Sequence, residues 1–239
     1  MNQHTLTRIL SLAAVMGLLM AGCGDGGGGG APIDDPQAKA AATDAAQSMA
    51  SLQELKANGE DSAAVNNVLS SYSSLQGMAL AKQSAQLKAA QLPLALPKAD
   101  PSQCVTTSGG TTTYDHCDYG GSSINGTVGV SGDHVTVDLT WDLSSGGQSV
   151  IVIMKGDVAV TETSVSGTLA YNIKVSGSNA LTYDLKSDFD VTFDGNRCAT
   201  GGYIRVKQSA DVAGVGNVGN FNVTVRADYG PACGDVVVR

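Results

Sequence analysis

The C-terminal half of the chain is dominated by segments in which apolar and polar residues alternate with a period of two. The clearest segment covers 135–143, where every second residue is apolar. Later segments at 169–175, 183–193 and 221–229 repeat the pattern. Because successive side chains of a β-strand point to opposite faces, the pattern predicts an antiparallel sheet with one apolar and one polar face.

Turn signals between these segments set the expected number of strands. Short runs of glycine, serine, asparagine and aspartate, which favour hairpin turns, lie at 131–133, 146–147, 176–178 and 194–196. We therefore expect a meandering antiparallel sheet of about eight to ten strands over 102–239. The run 150–154 is apolar throughout, which predicts a central strand.

The N-terminal half predicts helix. Asp35 can cap a helix and Pro36 suits its first position, while Asn58 and Gly59 favour its end. One helical face repeats at three-to-four spacing, with Ala38, Ala42, Ala45, Met49 and Leu52. A second apolar stripe comprises Val65, Val68, Leu69, Tyr72, Leu75 and Ala79. We therefore predict a helical hairpin over 36–92 and a proline-rich connection over 93–101.

The fold class predicted from these patterns is α+β. The helical hairpin is expected to pack on the apolar face of the antiparallel sheet. The alternative is a closed β-barrel or sandwich that carries the hairpin as a separate stalk.

Four cysteines in the predicted sheet region, 102–239, predict disulfides. An even number of cysteines behind an export signal indicates a disulfide framework. Three pairings are open, and chain order favours Cys104–Cys117 and Cys198–Cys233. A zinc site is disfavoured because the chain has no C-x-x-C pair.

The first 23 residues have the order of an export signal. Arg8 precedes a short apolar run that is too short to span a bilayer comfortably. The run ends in Leu19-Met20-Ala21-Gly22-Cys23, which resembles the lipobox of bacterial lipoproteins. The resemblance implies removal of 1–22 and lipidation of Cys23, which would anchor the chain to the cell envelope.

Residues 23–35 predict a tether between the lipid and the folded domain. Five consecutive glycines stand at 26–30, and a glycine-rich coil of about ten residues spans roughly 15–20 Å. Gly24, rather than aspartate, follows the cysteine. By resemblance to bacterial sorting signals, this favours the outer membrane.

Composition narrows the classes of partner and chemistry. The net charge of −8 argues against nucleic acid, which needs a basic surface. His116 and Cys117 are adjacent, but neighbours on a strand point apart, so a catalytic dyad is not expected. The G-x-G-x-x-G match at 214–219 precedes a strand-like segment rather than a helix, which indicates a loop. No cofactor is expected.

A row of aspartates is the remaining metal candidate. Asp188, Asp190 and Asp194 follow Asp184 on the polar face of one predicted strand, and carboxylates can bind Ca²⁺. Residues two apart on a strand lie about 6.5–7 Å apart, so a solvated polar face is the preferred interpretation and no metal is expected.

These observations favour a non-catalytic, membrane-tethered binding or scaffold module with an envelope protein as partner. A carrier that holds lipid or another apolar ligand between sheet and helices is the alternative, resting on fold analogy alone. An undetected hydrolase is the third hypothesis, because no acid–base or nucleophile motif points to a particular site.

Overall fold

The computed structural model describes residues 32–58, 71–72, 74–79, 104–118, 123–143, 149–176, 181–212 and 221–239. The predicted signal, Cys23, most of the tether and the 93–101 connection lie outside these ranges. Within the described ranges, no helix is long and apolar enough to cross a membrane.

One helix and ten strands form the framework. The helix, α1, covers Pro36–Asn58. The strands are β1 (Val105–Ser108), β2 (Thr111–Asp118), β3 (Ser123–Ser131), β4 (His134–Asp142), β5 (Ser149–Val160), β6 (Ser164–Ser176), β7 (Leu181–Phe193), β8 (Ala199–Val212), β9 (Phe221–Tyr229) and β10 (Val236–Val238). A second helical segment comprises residues 71–72 and 74–79.

The strands form a single sheet in which each strand pairs with its neighbours in sequence. The order is β1 to β10, and all pairs are antiparallel. The predicted antiparallel sheet is therefore confirmed, and the apolar run 150–154 lies in the central strand β5. Short hairpin connections dictate this order, since a tight turn places consecutive strands side by side.

The predicted fold class is wrong. The described residues form mainly one large sheet, and helix in them is limited to α1 and the short segment at 71–79, so the helical hairpin over 36–92 is not found. The closed barrel or sandwich is also wrong, because β1 and β10 remain the edges of one open sheet. Alanine-rich helical faces bury little area against one another, whereas the sheet offers large apolar side chains.

The core lies between α1 and the inner face of the sheet, which is the face that carries the buried apolar residues. The α1 positions predicted to share one face, from Ala38 to Leu52, are each at most 1% exposed. They pack with Trp141, Met154 and Leu169 of the sheet in one cluster. The helix lies against β5, β6, β8 and β10, so it crosses much of the sheet.

The start of α1 matches its sequence signal. The Asp35 side chain accepts a hydrogen bond from the backbone N–H of Gln37 at 2.8 Å, which caps the helix. Just before it, the Ile33 N–H donates to the Val238 carbonyl at 2.7 Å. The chain therefore joins the fold at the β10 edge.

Glycines on the inner face allow the strands to bend. Gly126, Gly167 and Gly202 have φ angles of 126°, 148° and 88°, in the region that favours glycine. An added Cβ at each would overlap the carbonyl oxygen of an aspartate in the adjacent strand, namely Asp138, Asp157 and Asp190. The sequences Gly-Thr-Val at 126–128 and Gly-Thr-Leu at 167–169 therefore begin with a glycine that meets the same backbone requirement.

We expect Gly202→Ala to lower the free energy of unfolding by about 3 kcal/mol, because it adds backbone strain at positive φ and a collision with the Asp190 backbone. Gly195→Ala, in the turn of the same hairpin, is the matched control, since nothing lies within 4 Å of its added Cβ. Urea unfolding of both variants checks this. Equal midpoints for the two variants would contradict the assignment.

Candidate functional site

The C-terminal end of α1 is fixed to the sheet by polar contacts with turns. The Gln53 side-chain amide donates to the carbonyls of Thr161 and Glu162, both at 3.0 Å. The Lys56 ammonium donates to the Val160 carbonyl at 2.9 Å and pairs with Asp133. Lys56 lowers the pKa of the Asp133 carboxyl through this hydrogen bond and its charge. These groups hold the helix rather than line a site.

A buried hydrogen bond fixes the other half of the helix. The Tyr229 hydroxyl on β9 donates to the Ala42 carbonyl at 2.6 Å, and Tyr229 is 9% exposed. Burial raises the pKa of this phenol. The contact ties the end of the sheet to the middle of α1.

We expect Tyr229→Phe to reduce the free energy of unfolding by about 1 kcal/mol, because it removes a buried hydrogen bond without changing the ring. Tyr203→Phe is the control, since Tyr203 lies on the polar outer face beside arginines. Guanidinium unfolding of each variant measures the difference. A Tyr229→Phe variant as stable as the control would show that the hydrogen bond adds nothing.

A cluster of buried phenols lies where the second helical segment meets the sheet. Ser71 and the Tyr171 hydroxyl are 2.7 Å apart, and the rings of Tyr72 and Tyr171 are 5.2 Å apart. The Tyr183 hydroxyl lies near Tyr72 and Gln76. Burial raises the pKa of Tyr72, Tyr171 and Tyr183 far above 10. These phenols stay neutral and are therefore poor general bases at physiological pH.

Alternation in the sequence places the tyrosines of β6 and β7 on the apolar face but does not predict their polar partners. Nor does it predict a role for Gln208, which is 1% exposed and whose side-chain amide has no hydrogen-bond partner among the described residues. The available signal was its position in the strand: Gln208 follows Ile204 and Val206 at intervals of two residues, so it points to the same buried face. Tertiary packing decides which helical residues contact the inner faces of β6, β7 and β8, so the sequence pattern alone did not reveal the cluster of buried phenols.

A small cavity lies between α1 and the end of the sheet. It encloses about 190 Å³, and its polar lining includes Thr43, Gln47, Asn196 and Arg197. The Cys198–Cys233 disulfide forms part of the wall. Sites for drug-sized ligands usually enclose about 300–1,000 Å³, so this cavity is smaller than such a site.

Both predicted disulfides are confirmed. Cys104–Cys117 joins the start of β1 to β2, with Cα atoms 5.2 Å apart. Cys198–Cys233 joins the residue before β8 to the loop before β10, with Cα atoms 5.4 Å apart. Cys117 is therefore not a free thiol. The neighbouring His116 has a φ of 48° at a bulge in β2 and lies 2.6 Å from the Asp115 carboxylate, on the surface.

The aspartates considered for calcium have separate partners or positions. Asp188 lies 3.6 Å from Arg205. Asp194 accepts backbone hydrogen bonds from Asn196 and Cys198, both at 2.9 Å, which shape the β7–β8 turn. Asp190 is exposed on the strand between them. Among the residues that the structure describes, no three His, Cys, Asp or Glu side chains are placed to hold a metal ion.

Two sequence candidates cannot be placed. The proposed lipidation site, Cys23, and the glycine-rich match at 214–219 lie outside the described residues. Comparison with known proteins adds no site, since no family model, curated protein or solved structure matches the chain.

Proposed function

We propose that this chain is a lipid-anchored protein of the bacterial cell envelope, and that its sheet domain is a non-catalytic binding or scaffold module. The observation that carries the proposal is the division of the sheet into two faces. α1 covers the inner face at β5, β6, β8 and β10 with alanine, methionine and leucine side chains. The outer face is polar and is therefore the broad surface on which a partner can be bound.

The lipid anchor is supported by the sequence and by the place where the chain joins the fold. The lipobox-like residues precede a glycine-rich tether. The first described residues meet the β10 edge through Ile33. A tether that arrives at an edge leaves the outer face accessible.

The non-catalytic assignment is supported by the surroundings of the titratable groups. The phenols of the core are buried among apolar side chains. Several carboxylates have partners on the surface: Asp138 pairs with Lys155, and the Asp157 carboxylate lies 3.2 Å from the His134 ring. Surface pairs of this kind contribute little energy and do not prepare a group for proton transfer.

The anchor is tested by metabolic labelling of cells with radioactive palmitate. Label is expected on the full chain and is expected to disappear in Cys23→Ser, which should also leave the membrane fraction. Gly24→Ala, beside the cysteine, is the control that keeps both label and fractionation. Label that persists in Cys23→Ser would refute this anchor.

The binding surface is tested by photo-crosslinking in intact cells. A crosslinking amino acid at Thr168 or Lys174, exposed on the outer face of β6, is expected to give one discrete product. The same amino acid at Ala40, an exposed position of α1, is the comparison. Products from α1 alone would place the partner elsewhere, and the absence of any product would count against a scaffold.

The carrier hypothesis requires an empty apolar cavity on the inner face, because a bound acyl chain has to occupy it. Native mass spectrometry of the gently purified chain is expected to give a mass without any non-covalent lipid. Copurified lipid would overturn the scaffold proposal in favour of the carrier.

A further inference from the structure

A group of five cations lies on the outer face at the β10 end of this acidic chain. We call it the cationic cluster: it comprises Lys186, Arg205, Lys207, Arg226 and Arg239. The first four lie on the adjacent strands β7, β8 and β9, and Arg239 follows β10. The whole chain carries 14 basic and 22 acidic residues, so such a concentration of cations opposes its overall charge.

Two pairs of like charges stand directly opposite each other in this cluster. Lys186 faces Lys207 across β7 and β8, and Arg205 faces Arg226 across β8 and β9. Like charges in such positions destabilise a sheet. Their presence therefore points to a role beyond folding.

The carboxylates nearby neutralise only part of this charge. Asp228 forms ion pairs with both Arg226 and Arg239, and Asp188 lies 3.6 Å from Arg205. Asp190, opposite Tyr203, and Asp184, which accepts a hydrogen bond from Asn172 at 2.7 Å, are further carboxylates on the outer face of β7. Lys186 and Lys207 are exposed and have no ion-pair partner among the described residues. Five cations against these four carboxylates leave the two lysines as the unpaired charge.

The Tyr203 ring organises the arginines. The Arg226 guanidinium lies 4.1 Å from the ring centroid, and that of Arg205 lies 5.5 Å from it. An aromatic ring attracts cations over its face and holds these two without neutralising them. The two arginine side chains are about one-third exposed, and each guanidinium has five N–H donors, so donors remain for phosphate.

The cationic cluster lies beside the point where the proposed tether joins the fold. Ile33 bonds to Val238, and the next residue, Arg239, exchanges backbone hydrogen bonds with Arg226. Ten residues separate Cys23 from Ile33, and such a length reaches at most about 35 Å. A lipid on Cys23 would therefore keep this part of the domain near the membrane surface.

We propose that the cationic cluster binds the phosphate groups of anionic lipids in the membrane that holds the anchor, and so brings the β10 end of the outer face to that membrane while β4 to β6 stay accessible to a partner. The inference rests on the proposed lipid anchor and names a binding surface for it. Acyl chain and cations act together, because tethering raises the local concentration of headgroups at the cluster.

The test uses the exported chain from residue 23 onward with Cys23→Ser, so that binding reports the cationic cluster without the acyl anchor. Co-sedimentation compares phosphatidylcholine vesicles with vesicles containing roughly a third phosphatidylglycerol. We expect binding only to the anionic vesicles, and we expect added salt to weaken it because salt screens surface charges.

Lys207→Glu is the decisive variant. It is expected to weaken binding to anionic vesicles at least about five-fold. Each lysine or arginine near an anionic membrane contributes about 1 kcal/mol to binding, which is about five-fold in affinity. Lys207→Glu also places a glutamate opposite Lys186, so its Tm should be unchanged or higher, and lost binding cannot come from unfolding. Lys174→Glu, an exposed position on β6 with the same charge change, is the control that keeps binding.

Three outcomes would overturn the inference. They are equal binding to both kinds of vesicle, equal loss in Lys174→Glu and Lys207→Glu, and capture by polyglutamate without any vesicle binding, which would indicate an acidic protein partner. Because the tested chain has no acyl group, these outcomes are independent of palmitate labelling at Cys23.

Discussion

The protein is expected to unfold within about two pH units above pH 10. Tyr72, Tyr171, Tyr183 and Tyr229 are at most 9% exposed, and burial raises the pKa of each above its ordinary value of 10. In the unfolded chain these phenols ionise near pH 10, whereas in the folded chain they retain their protons. The unfolded state then binds fewer protons, so stability falls as the pH rises.

The size of this effect follows from the number of phenols. Because the folded state retains four protons that the unfolded state releases, the free energy of unfolding falls by about 5 kcal/mol per pH unit above pH 10. Domains of this kind are stable by about 5–15 kcal/mol, which sets the expected width of the transition. Below pH 10 all four phenols are protonated in both states, so they contribute no pH dependence there.

Circular dichroism and tyrosinate absorbance, followed together through an alkaline titration, measure the transition. Both signals are expected to change cooperatively. Tyr171→Phe/Tyr183→Phe removes two of the four phenols and is expected to halve the slope of stability against pH. An unchanged slope in this variant, or gradual ionisation without unfolding, would contradict the assignment.

Removal of the Cys198–Cys233 disulfide is expected to lower the free energy of unfolding by about 4 kcal/mol. The bridge closes a loop of 35 residues, and the conformational entropy that it removes from the unfolded chain gives this magnitude. It also holds the loop before β10, on which Ile33 and the start of α1 depend. The variant is Cys198→Ser/Cys233→Ser.

The matched comparison is Cys104→Ser/Cys117→Ser, whose loop spans 13 residues. The same relation gives a smaller loss of about 3 kcal/mol. Guanidinium unfolding of the two double variants without reductant, so that each keeps its remaining disulfide, measures the difference. A larger loss from the shorter loop would show that strain or residual structure outweighs chain entropy.

Alternation predicted the sheet because strand residues obey a local rule. In β4, Val135 and Leu139 face the core, while Thr136 and Asp138 face outward, as their order in the chain requires. The disulfide pairing was predictable for a related reason, since the segments that carry the cysteines are brought together by neighbouring hairpins. In both cases the information lies within a few dozen residues.

The extent of the helical region was not predictable in the same way. The stripe of α1 was visible because Ala42 and Met49 recur on one face. Periodicity gives the face of a helix but not its partner, and small alanine faces fit another helix as well as a sheet. The helical hairpin was therefore predicted from an apolar helical stripe that in the structure packs on the sheet.

The sequence alone determined a meandering antiparallel sheet of about eight to ten strands, the faces of β4, β6, β7 and β9, the disulfides and one face of α1, because each depends on residues close together in the chain. Only the tertiary structure decided that the sheet stays open, that α1 packs on its inner face at β5, β6, β8 and β10, and that Tyr171 and Tyr183 meet the second helical segment. It alone brought Lys186, Arg205, Arg226 and Arg239 together beside Ile33. Contacts between residues far apart in the chain depend on the register of the strands and on the packing of the helix, which no local pattern specifies.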